Sequence, residues 1–205
     1  MLELYYAPAS IALASMIALN DAGAPHRLRR VDFAADEQKG AAYTAMNPKA
    51  RVPTLVTPQG PLTETPAILA FIAQTHPRAQ LAPTDPFGFA RMQAFNCYLC
   101  ATLHVAHAHR MRGHRWSDDP AAWEAMRRFV PRSVGACWDY VEAHAFAGPF
   151  VMGERYTVAD PYLFTVSRWM EDDGIDPARY PKVTAHRSAM AERPSVREAL
   201  AVIAE

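Results

Sequence analysis

Arg51-Val52-Pro53-Thr54-Leu55-Val56-Thr57-Pro58-Gln59-Gly60-Pro61-Leu62-Thr63-Glu64-Thr65-Pro66-Ala67-Ile68-Leu69-Ala70-Phe71-Ile72 is the stretch whose reading decides the fold. Thr54 to Val56 is a short β-branched and apolar run entered through Pro53. Turn-forming residues follow from Pro58 to Pro61, and a second short run begins at Leu62, which together predict a β-hairpin. Thr65 is a competent N-cap, Pro66 suits the first helical position, and Ile68, Leu69 and Ile72 supply an apolar helical face, so a helix is expected from Thr65 or Pro66. A helix start offers unpaired N–H groups and partial positive charge, which suit a carboxylate, while the neighbouring Glu64 suits an ammonium. Together they match an amino-acid-like head group. Thr65 acting only as a cap and Glu64 only as a complement to the helix dipole accounts for the same residues.

Outward from this segment, the 205 residues are 50% hydrophobic, enough for a sizeable core in one large domain or two small ones. Twenty-one basic residues balance 21 acidic ones, so no global field favours nucleic acid or an anionic membrane, and a small molecule or protein partner is expected. Leu2 to Tyr6 has neither a basic leader nor a long apolar stretch, and no later run reaches about 18 apolar residues. Three cysteines supply no disulfide framework. A cytoplasmic protein is expected.

Upstream, Leu2 to Tyr6 reads as a strand, about Ile11 to Ala22 as a helix stopped by Gly23, and His26 to Phe33 as a second strand with one break of phase. Residues 36–46 have helical tendency and end at Asn47-Pro48, so the order is β-α-β-α-β-β-α. From His76 to Pro86 the chain turns proline-rich, which is linker chemistry. The expected division is an α/β domain at 1–77, a linker at 78–86 and an all-helical domain at 87–205. In the latter, Phe87 to about His114 predicts a long helix with Met92, Phe95, Leu99 and Leu103 on one stripe, and Ala121 to about Phe146 predicts another. Thr157-Val158-Ala159-Asp160 is a capping box leading into a helix with Tyr162, Val166 and Trp169 on one face.

Five segments in this order resemble the glutathione transferase superfamily over nearly the whole chain. They are Leu4-Tyr5-Tyr6-Ala7-Pro8 with Ile17-Ala18-Leu19, Asn47 to Leu55, Leu62 to Thr65, Thr157 to Phe164, and Met190 to Val196. The last two, with Leu103-His104, are most similar to the bacterial beta class. The resemblance implies a thioredoxin-like first domain, an all-helical glutathione-transferase second domain and a symmetric homodimer. It also implies a cis Val52-Pro53 bond that turns the Val52 backbone toward the cysteinyl amide of glutathione. Glutathione is then the co-substrate, with Glu64 and Thr65 at its γ-glutamyl amine and carboxylate, His104 facing the cleft, and a small apolar electrophile as second substrate.

Such enzymes hold the thiol as a thiolate, with a donor near the start of the first helix. In beta-class proteins a cysteine stands three positions after the proline. Here that position is Ile11, which can neither donate a hydrogen bond nor form a mixed disulfide. The remaining candidates are the Ser10 hydroxyl, the Tyr6 phenol and the backbone N–H groups after Ser10. Ser10 is the preferred catalytic residue, and a plain N-cap is its other account. The departure at Ile11 leaves a non-catalytic glutathione-binding carrier or interaction protein as the alternative function.

His107, His109, Arg110, Arg112, His114 and Arg115 form a cluster that suits either an acidic co-substrate or a solvated helix end, and the solvated end is expected. Lys39 is placed to reach the glycine carboxylate of glutathione or to lie on the surface. Cys97, Cys100, His104 and His107 share a helical face but span roughly 15 Å. Zinc ligands each lie about 2.0–2.3 Å from one ion, so no shared metal is expected. Mid-helix placement makes Cys97 and Cys100 packing residues, and Cys137 beside Trp138 reads as core.

Overall fold

The computed structural model describes residues 1–204. Its first part is a four-stranded sheet of order β2-β1-β3-β4, formed by β1 (Leu2–Tyr6), β2 (His26–Arg30), β3 (Thr54–Thr57) and β4 (Gly60–Thr63). β1 and β2 are parallel, with Leu4 opposite Leu28, and are joined through α1 (Ala12–Asp21). β3 runs antiparallel to β1, with Leu55 opposite Leu4, and turns through the expected hairpin into β4. The second strand is shorter than expected. It ends at Arg30, where the Val31 N–H makes one last bond to the Tyr6 carbonyl at 2.8 Å and Phe33 turns away toward a cleft.

Between β2 and β3 lie a 3-10 turn (Glu37–Lys39) and the single turn α2 (Ala41–Thr44); α3 (Thr65–Thr75) follows β4. The rest is helical: α4 (Pro86–Tyr98), α5 (His104–Ala108), α6 (Pro120–Tyr140), α7 (Ala159–Ser167), α8 (Pro181–Ala191) and α9 (Pro194–Ala204). α1 is apolar on every side because the sheet and α3 take one face while α7 and α9 take the other, so all residues from Ala12 to Leu19 are buried.

Asp85 caps α4 by accepting from the Gly88 N–H at 2.7 Å, with Pro86 at the first helical position. The helix then passes through a π turn (Leu99–Leu103) into α5, and Met92, Phe95, Leu99 and Leu103 form the buried stripe. It stops at Ala108 rather than near His114. Gly113 packs so closely on α6 that an added Cβ would lie 2.9 Å from the Trp123 ring, and the chain must turn there. The capping box forms as the spacing predicts: the Thr157 N–H donates to Asp160 Oδ2 at 2.7 Å, and the Ala159 N–H donates to Thr157 Oγ1 at 3.3 Å. Asp160 also accepts from the Val151 N–H at 2.8 Å and meets His186 Nε2 at 3.1 Å in the core. No described helix is long and apolar enough to cross a membrane.

Candidate active site

A cleft of about 760 Å³ lies between the sheet domain and α4–α5, and its wall gathers Ser10, Val52, Pro53, Glu64, Thr65 and His104. Its floor near Val52 is set by a knot of buried polar groups. Tyr43 Oη and Asn47 Nδ2 donate to the Arg51 carbonyl at 2.6 and 2.7 Å, and both lie within 3.0 Å of Thr54 Oγ1. These bonds hold the loop before β3, where Val52-Pro53 is cis. The Val52 N–H and C=O have no hydrogen-bond partner among the described residues, leaving a backbone edge open to an extended ligand.

Glu64 takes φ 71° and ψ 117°, a conformation unusual for a non-glycine residue, directly before α3. The helix begins at Thr65, one of the two expected starts, but Thr65 does not cap it: Glu64 holds the cap position, and no side chain caps the end. The first N–H groups of α3 therefore stay available beside the buried Thr65 and the Glu64 carboxylate. Lys49 Nζ lies 2.6 Å from Glu64 Oε1 and 2.7 Å from Thr63 Oγ1.

At the start of α1, Ser10 Oγ donates to the Ala7 carbonyl at 2.6 Å and accepts from the Ala12 N–H at 3.3 Å. Ile11 packs into the core beside it while touching the cleft. Tyr6, the other hydroxyl candidate, is packed into the core and is not part of the cleft wall.

The opposite wall carries His104, held neutral with a pKa of about 4, chiefly by burial and then by His107, Arg112, Arg115 and Arg51. His107 departs from the solvated helix end: its Nδ1 meets the buried Asp173 carboxylate at 2.8 Å, and its ring stacks on Trp169 at 4.3 Å. Trp169 lies beyond the end of α7, against the cleft. Arg110 binds Asp172 Oδ2 at 3.3 Å, whereas Arg112 and Arg115 line the cleft while staying exposed, in keeping with the solvated end. Lys39 lines the cleft and pairs with Asp36 at 2.9 Å. The two mid-helix cysteines do not both pack: Cys97 is exposed, Cys100 lies on the cleft wall with its thiol pushed up by burial, and Cys137 alone is buried. Tyr162, read from sequence only as one face of its helix, is buried at the cleft beside Cys100, and burial and that thiol push its hydroxyl pKa up.

Family models describe the same two parts: glutathione S-transferase, N-terminal domain, over residues 1–74, and glutathione S-transferase, C-terminal domain, over 106–201. The chain is 32% identical over 202 residues to glutathione S-transferase GstA of Escherichia coli O157:H7, covering 97% of each protein. It is 27% identical over 187 residues to a maleylpyruvate isomerase of Ralstonia sp, covering 89% of this chain and 88% of that protein. A glutathione transferase homolog from Sulfitobacter, solved with bound glutathione, is 45% identical and superposes with a TM-score of 0.95 over 98% of each chain. With this agreement in sequence and in fold, and with a bacterial beta-class enzyme among its structural neighbours, the chain belongs to the glutathione S-transferase superfamily.

Proposed function

We propose that this chain binds glutathione as a substrate and transfers its sulfur to the electrophilic carbon of a small molecule held against α5. One observation carries the reading: a single cleft collects the Glu64 carboxylate, the uncapped start of α3, the open Val52 backbone and the start of α1. Each group matches a part of glutathione: its ammonium, its γ-glutamyl carboxylate, its cysteinyl amide and its sulfur.

Ser10 is the proposed catalytic donor, assisted by the N–H groups that follow it. Its proton points at the Ala7 carbonyl, so donation to sulfur requires rotation of the hydroxyl, while its lone pair keeps the Ala12 N–H. The thiol proton passes to solvent and the sulfur lone pair forms the new C–S bond. The displaced pair leaves with a halide, or shifts to the neighbouring carbon of a conjugated acceptor, which then takes a proton from water. A homodimer and a cytoplasmic location belong to the same proposal.

A second reading is glutathione-dependent isomerisation, in which sulfur adds to a conjugated double bond, the bond rotates, and sulfur leaves again. Similarity to the Ralstonia isomerase favours it. A carrier without catalysis is the remaining alternative, motivated by Ile11 in place of the expected cysteine.

The test is a glutathione titration by calorimetry, repeated by ultraviolet absorption in the thiolate band from about pH 5 to 9. The bound thiol pKa is expected to fall by at least about one unit, equivalent to about 1.4 kcal/mol of preferential thiolate binding. Binding without any shift would support the carrier instead.

A further inference from the structure

Part of the charge on the cleft wall is used neither by the fold nor by the glutathione site. The wall carries Lys39, Lys49, Arg51, Arg112 and Arg115, and among the described residues Glu64 is its only carboxylate. The lysines are paired, Lys39 with Asp36 at 2.9 Å and Lys49 with Glu64 at 2.6 Å. No acidic side chain lies within ion-pair distance of Arg51, Arg112 or Arg115 among the described residues. Arg110, just before Arg112, is instead tied to Asp172 at 3.3 Å.

Arg112 and Arg115 feel their cationic neighbours on this wall. Burial against the wall, then Arg112 and Arg51, bring Arg115 down to about 10; burial, then Arg51, lower Arg112. Like charges converging on a concavity lower the energy of an anion placed there, whereas a solvated helix end spreads its charges outward.

On the proposed reading, glutathione brings two carboxylates. One goes to the start of α3, and the glycine carboxylate is within the province of Arg51, next to Val52 on the wall that carries glutathione. Arg112 and Arg115 follow α5 on the other wall, beside Met111 and Trp116. We propose that Arg112 and Arg115 form an anion subsite for the second substrate, which is therefore an aryl or alkenyl carboxylate rather than a purely apolar electrophile. The planar guanidinium fork matches a carboxylate, and Met111, Trp116 and Trp169 cover its apolar body. The inference rests on the glutathione-transfer reading and holds equally for isomerisation.

A matched pair of electrophiles tests it: a chlorodinitrobenzoate and its methyl ester, each assayed with glutathione and each kcat/KM divided by the uncatalysed rate constant. The carboxylate is expected to be preferred by at least about tenfold, and Arg112→Gln/Arg115→Gln to remove most of that preference, with Arg112→Lys/Arg115→Lys restoring part of it. A ratio near one in the native protein, or a ratio that survives both glutamine substitutions, overturns the subsite. If neither compound reacts faster than without protein, the transfer reading fails on its own. Calorimetry with the two preformed glutathione conjugates then decides the subsite: tighter binding of the carboxylate conjugate that disappears in the glutamine variant supports it, and equal binding overturns it.

Discussion

Lys49 Nζ sits 2.6 Å from Glu64 Oε1, so the carboxylate proposed to meet the glutathione ammonium already holds a cation of its own. Both side chains are about half exposed, at 44% and 55%, and a pair this wet is worth about 0–1 kcal/mol. An incoming ammonium displaces it at little cost. Lys49→Gln is therefore expected to change the glutathione Kd by less than about fivefold, and Glu64→Gln to weaken binding by about 1–3 kcal/mol. Calorimetry checks both; a Glu64→Gln protein that binds normally would remove Glu64 from the site.

Ser10 is expected to show two separable effects. Its bond from the Ala12 N–H supports the entry to α1, so Ser10→Ala should cost about 1 kcal/mol of folding stability in urea unfolding. Loss of the thiolate donor should lower kcat by about tenfold or more while the glutathione Kd stays within about twofold. A stability loss with unaltered kcat would make Ser10 a cap and nothing else.

His104 supplies a pH dependence with a definite sign. Its native pKa of about 4 lies below the ordinary 6.5, so between these values the unfolded chain binds a proton that the folded chain refuses. Stability rises with pH through that window and is lost as pH falls from about 6.5 to 4, by at most about 3 kcal/mol from this group. Denaturant titrations at both ends of the window, on the native protein and on His104→Gln, should show a smaller acid loss in the variant. Equal losses would assign the dependence to other groups.

Asp160 joins Thr157, Val151 and His186 while fully buried. Removing it strands several donors in the core, and Asp160→Ala is expected to destabilise the fold by about 3–5 kcal/mol. Thermal unfolding measures this directly. A loss under about 1 kcal/mol would show that water replaces the carboxylate.

What could be read from sequence was local. The hairpin, the start of α3 and the Thr157–Asp160 box are written in residues no more than a few positions apart, where turn and capping chemistry acts. Partnerships across the chain left no such trace. His107 meets Asp173 66 residues away, which is why a half-buried stacked imidazole was expected to be solvent-facing. Thr65 lost its capping role to a backbone conformation at Glu64 that no side-chain pattern announces. Tyr162 carries the same apolar signature whether it packs in a core or lines a cleft. The only available signal was its phenol, a polar atom that burial must explain. The mutual arrangement of Arg51 and Arg112 was equally invisible, because charge convergence depends on how two domains meet.

α1 has one further consequence. Its sheet-facing side completes the first domain, but its other side is covered by α7 and α9. Asn20 donates to the Ser195 carbonyl at 3.1 Å, and Asp21 accepts from Arg193 at 3.2 Å. The proline-rich stretch after α3 thus divides the chain's composition without dividing its cooperativity. Neither half can melt while leaving the other a finished surface, so the molecule should lose both halves in one transition, and the helix that carries the proposed sulfur site also carries the stability of the whole.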